Sequence, residues 1–550
     1  MLAHLTPNLT LRMSRRLLPF VCLASLLLAQ ATELPEPKPP AALQAIVAKE
    51  LLEHATWLAA DEREGRLTGS PGQWAAARYI AAHFEKLGLE PLGDEVDGKR
   101  TWFQHYGIAR TFVDPKTELQ LGECKLRDGF AVLGGKAIDV QLKGELQFCG
   151  LGRTPKDLGA EVDLAGKIAV VAIKGPRGKV GNTLGIEQKF AMSFGVFQQL
   201  SKTTKALAKK GAVAVLFVQH EDRLGLSDVL NYLALAPGKD QLAATFLGPG
   251  EDMNGMLQML GGGGSDTPTM VLSVPASGQL FEQLGLEAAA VGQYVDAGEA
   301  MPTAKAGVAA EVTLSVGHDD KATACNVVAV LRGSDPKLAP EAVVYSAHMD
   351  HVGKRIDGEI FNGADDNASG SAGLMSIARA YAESKEKPRR SVIFLSVSGE
   401  ELGLWGSAYF AQHPTWAADQ LVANVNTDMI GRNGPESEGD EVMVTPSNRH
   451  AKFSTIVQDA AKFGAQLGFT FASGDKYYSR SDHYNFAKKG IPVVFFCNGE
   501  HADYHQVSDT ADKLDGSKME RIARLAFWTG WSVANADDRP RTLGKQESWR

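Results

Sequence analysis

Several short polar clusters carry the residue types that hold and use metal ions. In Ser346-Ala347-His348-Met349-Asp350, the histidine can ligate a metal while the aspartate two residues on holds its other ring nitrogen. In Gly363-Ala364-Asp365-Asp366-Asn367-Ala368-Ser369-Gly370, two carboxylates crowd a turn that leads into a helix; capping that helix accounts for one of them, and the other is costly without a cation. Ser398-Gly399-Glu400-Glu401-Leu402-Gly403 sets adjacent glutamates between glycines, one suited to a metal and the other to act beside it as a base, although paired acids are often only a solvated face. Asn426-Thr427-Asp428-Met429-Ile430-Gly431 delivers a further carboxylate, and Asp503-Tyr504-His505 a second histidine. His348, Asp366, Glu401, Asp428 and His505 together offer two imidazoles and three carboxylates with no sulfur. That mix suits paired zinc, cobalt or manganese, with one carboxylate bridging and a water between the ions.

The clusters need a scaffold that aims them at one place. Ala342 to Ser346, Ser391 to Ser396, Leu421 to Asn426 and Pro492 to Phe496 read as buried strands, and they alternate with helical patterns around Leu374 to Tyr381, Phe453 to Leu467 and Met519 to Phe527. This alternation predicts an α/β fold with a mostly parallel central sheet flanked by helices, in which ligands bind beyond the carboxyl ends of the strands. Earlier, Ala41 to Ala60 and Trp74 to Leu87 read as helices, with Ala77, Ile80, Ala81, Phe84 and Leu87 on one face. From about residue 115 to 300 the pattern changes to short β-rich runs, such as Lys167 to Ala172 and Val213 to Val218, separated by turns. The run Gly261 to Gly264 in this stretch lacks a following Lys-Ser or Lys-Thr and reads as a loop, not a phosphate cradle.

The whole chain has 550 residues, 44% hydrophobic and 22% charged, with a formal charge of −8. That length and balance fit a multi-domain globular protein, and dispersed Lys and Arg exclude nucleic acid as the main partner. Arg12, Arg15 and Arg16 precede the apolar run Leu17 to Leu28 and the small-x-small end Ala29-Gln30-Ala31, which predicts a signal peptide over 1–31 and an exported protein, periplasmic or extracellular. The paired arginines leave the twin-arginine route open, and Pro19-Phe20-Val21 argues against lipid attachment at Cys22. The apolar run is too short to span a bilayer, so no membrane span is expected in the mature chain. Cys124, Cys149, Cys325 and Cys497 form no CxxC pair. Export permits disulfides, with Cys124 and Cys149 either bridged or buried as thiols.

In combination, Ala347-His348-Met349-Asp350, Gly363 to Gly370, Gly399-Glu400-Glu401, Asn426 to Gly431, Ser481-Asp482-His483 and Asp503-Tyr504-His505 closely resemble the co-catalytic zinc aminopeptidase family, which includes secreted bacterial leucyl-type aminopeptidases and glutamate carboxypeptidase. Glu64-Gly65-Arg66-Leu67-Thr68-Gly69 is similar to that family's opening segment, and residues 115–300 resemble an inserted protease-associated domain. The resemblance implies the N-terminal part of a peptidase domain over 32–114, the insert over 115–300 and the zinc peptidase domain over 301–550. It implies two zinc ions, with Asp366 bridging, Glu401 and His505 completing one site, and His348 and Asp428 the other. Glu400 would be the general base, Tyr504 a hydrogen-bond donor to the oxyanion, Asp350 the partner of His348, and Arg480 a substrate contact. Asp482 and His483 would orient the site without ligating metal, and peptides would be the substrates.

Within the family, the filled ligand set favours hydrolysis over glutaminyl cyclisation. The 45 residues after His505 leave no room for the long helical dimerisation domain of the carboxypeptidase and receptor branches, which favours an aminopeptidase. A carboxypeptidase or dipeptidase, and a silent receptor-like binding protein, are the alternatives. His505-Gln506-Val507-Ser508-Asp509-Thr510 departs from the family's commonest His-Thr-Pro-x-Asp-Thr, a change expected in loop shape more than in metal binding.

Overall fold

Apolar residues at helical spacing open the described chain and pack onto a central sheet. In the computed structural model, which describes residues 38–134, 137–152, 162–174, 198–222, 230, 234–244, 266–435, 437 and 439–549, the first helices are α1 (Ala48–Leu58) and α2 (Pro71–Lys86). The expected signal peptide over 1–31, Cys22 and the Gly261–Gly264 loop lie outside the described residues. Ser70 caps α2 by accepting from the Gln73 amide, and Pro71 stands at a helix start, where its missing N–H costs nothing. Ala77, Ile80, Ala81 and Phe84 are buried, as the periodicity predicts, whereas Leu87 just past the helix end is only partly buried.

Ten of the strands that follow set the frame: β1 (Phe103–Val113), β2 (Ile138–Phe148), β3 (Ile168–Ala172), β4 (Ala214–Val218), β5 (Thr269–Leu272), β6 (Ala309–Leu331), β7 (Ala342–His348), β8 (Ser391–Val397), β9 (Leu421–Thr427) and β10 (Val493–Cys497). The helices α3 (Gly370–Glu383), α4 (Thr455–Gln466) and α5 (Gly516–Asn535) pack against the sheet. Strands β7 and β8, β7 and β9, and β9 and β10 pair parallel. Strand β6 joins β8 antiparallel, and Glu441–Thr445 joins β10 antiparallel, so the mostly parallel sheet is mixed at both sides. Every residue of β7, β8 and β9 is buried, which is why they read as continuous apolar runs and not as alternating ones.

Residues 115–300 contribute most of two further cores, one around Leu119, Phe130, Leu216 and Phe281, which Val113 and Val308 to Val316 complete, and another around Ala169, Val171 and Phe217, which Ile356 joins. There β2 pairs with β3, β3 with β4 and β4 with β5, all parallel. The 23-residue strand β6 belongs to both regions: its first half pairs with β2 and its second half with β8. The sequence did not reveal β6 as one strand, because the polar run His318 to Lys321 in its middle is partly or fully exposed. A buried lysine, Lys239, donates to the Val352 carbonyl and ties this region to the loop after His351.

Cys124 and Cys149 are thiols, not a bridge. The Cys124 thiol lies 3.1 Å from Gln279 Oε1, and the buried Cys149 thiol 3.3 Å from the Gln147 carbonyl, so each has a polar partner of its own. Among the described residues no helix is long and apolar enough to cross a membrane.

Candidate metal centre

The carboxyl ends of β7, β8 and β9 and the loops behind them bring the predicted ligands together. They form two groups. His348, Glu400 and Asp428 each offer one ligand atom within 4.8 Å of the others, and His351, Asp366, Glu401 and His505 do the same beside them. His348 Nε2 lies 3.3 Å from Asp428 Oδ1, 3.5 Å from Asp366 Oδ1 and 4.0 Å from Glu400 Oε2. His505 Nε2 lies 2.9 Å from both Asp366 Oδ2 and Glu401 Oε2. Asp366 therefore turns one carboxylate oxygen toward each group.

Local structure explains this aim. The turn before α3 is laced to the end of β9: Asn367 Oδ1 accepts from Met429 N at 3.2 Å, Ser369 Oγ from Ile430 N at 3.0 Å, and Asp365 Oδ1 from Gly431 N at 2.6 Å. These bonds fix Asp366 against Asp428. Both Asp509 oxygens accept from the Asp365 amide, and one also from the Asp366 amide, each at 3.1 Å. Met429 and His505 hold left-handed backbone, with φ of +54° and +52°, a conformation that non-glycine residues keep only where the surroundings over-determine it.

The electrostatics separate the two glutamates. Burial raises the Glu400 carboxyl well above its usual range, and Asp428 and Glu401 add to the rise against the opposing pull of His348. Glu401 is also buried, but His505 and His351 outweigh that and hold it well below the usual range. Neighbouring carboxyls are thus driven apart, the pattern that separates a proton-carrying group from a charged one. Burial works against a charged His505, yet Glu401 and Asp366 hold its pKa up to about 10. Protons held this way stand where a cation would sit, and metal binding would release them.

The residues present fit such cations. Four carboxylates, Asp366, Glu400, Glu401 and Asp428, are at most one-tenth exposed and crowd one another, with only imidazoles beside them in the two groups to offset their charge. His348 Nε2, Asp366 Oδ2 and Asp428 Oδ1 make no hydrogen bond of good geometry although buried and facing their neighbours. Uncompensated buried charge of this kind costs several kcal/mol per ion, and the nitrogen and oxygen donors match zinc.

Other predicted residues fall around this centre. Asp350 differs from the expectation: His348 Nδ1 lies 3.2 Å from the Asp350 backbone carbonyl and 3.8 Å from its carboxylate, which instead accepts from Thr68 Oγ1 at 2.9 Å and from the Glu400 amide at 3.3 Å. Tyr504 stacks on the His505 ring at 4.0 Å. Arg480 pairs with Glu500 at 2.7 Å, and the two line a cleft of about 370 Å³ with Asp366, Glu400, Asp428, Tyr477 and Tyr504. Asp482 and His483 are buried outside both ligand groups, with His483 stacked on Phe495 at 4.5 Å.

Sequence reasoning missed His351 and Ser481. His351 Nδ1 lies 2.6 Å from Glu401 Oε1, and Ser481 Oγ donates to Asp428 Oδ2 at 2.8 Å. The spacing His348-x-x-His351 was the available signal for the first. Ser481 gave none beyond its place in a matched string.

Known proteins bear on this centre. A segment of the chain is 28% identical over 265 residues to a "Probable zinc metalloprotease" of Pyricularia oryzae, covering 40% of this chain and 51% of that one. It is also 29% identical over 227 residues to leupeptin-inactivating enzyme 1 of Streptomyces exfoliatus, covering 41% and 47%. The chain spans about half the length of these curated relatives. The solved structure of BSAP, a zinc aminopeptidase from Bacillus subtilis, aligns with 90% of this chain and 96% of its own at 17% identity and a TM-score of 0.50, a likeness of fold. Residues 326–529, which contain both ligand groups, match the model of peptidase family M28.

Proposed function

We propose that this protein is an exported exopeptidase that carries two zinc ions and removes N-terminal residues from peptides. The observation that carries the reading is Asp366, whose two oxygens face His348 on one side and His505 on the other. His348 and Asp428 would hold one ion, Glu401 and His505 the other, with Asp366 shared. Bound there, the ions would supply Lewis-acid polarisation and ease the ionisation of water near neutral pH.

The chain's own groups do the rest. Glu400, buried beside His348 and Asp428 with a carboxyl that the charge of the bound ions would ionise, takes the proton of the attacking water and delivers it to the leaving amine. Tyr504 is held by its stack on His505, and burial keeps its phenol protonated, so it can donate to the developing oxyanion. Arg480, held by Glu500 in the wall of the cleft, is placed to contact the bound peptide. We read residues 115–300 as a protease-associated insert, and the Arg12 to Ala31 segment as the export signal.

A mass-spectrometric time course tests the reading, using zinc-loaded protein and peptides offered with free and acetylated N-termini. Stepwise loss of N-terminal residues from the free-amine set alone is expected. Trimming from the other end would reassign the enzyme to a carboxypeptidase, and cleavage of neither set would make it a binding protein.

A further inference from the structure

The segment Glu64 to Thr68 lies outside the matched family segment yet touches the loops that carry ligands. Arg66 is fully buried, and its guanidinium donates four hydrogen bonds to carbonyls on three segments: Nε to Met349 at 2.8 Å, Nη1 to Leu58 at 2.8 Å and Asn362 at 2.7 Å, and Nη2 to Gly363 at 2.9 Å. Met349 follows His348, and Asn362–Gly363 open the turn of Asp366. The Arg66 backbone carbonyl accepts from His351 N at 3.2 Å, the Gly65 carbonyl from Gly353 N at 3.0 Å, and Leu67 bridges His351. Thr68 Oγ1 donates to Asp350 Oδ2 at 2.9 Å and accepts from Gly399 N at 3.0 Å, one residue before Glu400.

A planar guanidinium satisfied at four points fixes the directions of the peptides it binds, which a point charge on a flexible stem cannot do. Its charge also attracts Asp366, Asp350, Asp509 and Glu401, so it offsets part of the repulsion among them. Thr68 uses donor and acceptor together, so its single hydroxyl sets Asp350 against the backbone that carries Glu400.

We propose that Arg66 and Thr68 are positioning residues that lock the His348, Asp366 and Glu400 loops into register for the metal pair, so that the N-terminal segment completes the centre. This rests on the two-metal hydrolase reading above. Neither residue touches a ligand atom or substrate; each acts through the loops it holds.

The test uses the full chain as wild type, Thr68→Val, Thr68→Ser and Arg66→Lys, with zinc affinity from chelator competition, the visible spectrum of the cobalt(II) form, kcat and KM, and thermal unfolding. Thr68→Val keeps shape and loses both hydrogen bonds. It should lower kcat about 10- to 100-fold with KM nearly unchanged and alter the cobalt spectrum, while Thr68→Ser restores both. Arg66→Lys keeps charge and loses the fork, and should weaken zinc binding about 10- to 100-fold. If the wild type binds two metals and both Thr68→Val and Arg66→Lys match it in spectrum, affinity and kcat, the proposal is wrong. The same holds if Thr68→Ser fails to restore what Thr68→Val loses. If Arg66→Lys does not fold, the two Thr68 variants decide. A wild type that binds no metal would instead overturn the reading of the site itself.

Discussion

His351 Nδ1 and Glu401 Oε1 lie 2.6 Å apart, while the other oxygen of Glu401 faces His505 at 2.9 Å. Burial lowers the His351 pKa and favours the neutral ring, so its single ring proton sits on Nδ1 and donates to the carboxylate. One oxygen of Glu401 is thereby committed to orientation and the other left for a metal. Histidine–carboxylate contacts of this kind tune a ligand's direction and basicity.

Replacing His351 with Ala should therefore loosen Glu401 and lower affinity at the Glu401 and His505 site about 10- to 100-fold. Zinc affinity measured against a chelating indicator checks this. Unchanged affinity would remove His351 from the account.

Glu400→Gln keeps size and hydrogen-bonding capacity but cannot accept the proton. Loss of about 10²- to 10⁴-fold in kcat is expected, with metal content equal to wild type. Steady-state kinetics beside elemental analysis separate a lost base from a lost metal.

Gly65 has φ of +66°, and a Cβ there would stand 2.2 Å from the Gly353 carbonyl oxygen and 2.7 Å from that of Phe361. Both are backbone atoms that cannot rotate away. Gly65→Ala should cost at least about 2 kcal/mol, from the left-handed backbone and the overlap together. Denaturant unfolding of the variant measures it.

His83 in α2 is half-buried beside His54, with Nε2 3.2 Å from the Met375 carbonyl. Burial, with His54 adding to it, lowers its pKa to about 4 from an ordinary 6.5. Between those values the unfolded chain binds a proton that the folded chain refuses, so stability present above pH 6.5 is lost as pH falls toward 4. The loss is up to about 3 kcal/mol. His83→Gln should lose less stability between pH 7 and pH 5 than wild type, and equal losses in the two proteins would contradict the assignment.

Much of the scaffold was legible because β7, β8 and β9 are buried along their whole length, leaving mostly apolar runs that end in polar clusters. A polar cluster at a buried strand's end has few structural explanations, which is why His348, Glu400, Glu401 and Asp428 stood out. The division of those residues into two groups was not legible from spacing, since it depends on Asn367, Ser369 and Asp365 lacing two distant loops together. Arg66 and Ser481 were hidden for a similar reason: their partners lie 283 and 53 residues away along the chain. The middle of β6 carries the polar signature of a turn because that stretch of the strand faces solvent.

Whether Asp366 joins two metal positions is read by anomalous diffraction at the zinc absorption edge, on crystals of the zinc-loaded protein. Two peaks are expected on either side of the Asp366 carboxylate, one against His348 and Asp428 and the other against Glu401 and His505. A single peak, or none within reach of Asp366, would contradict it.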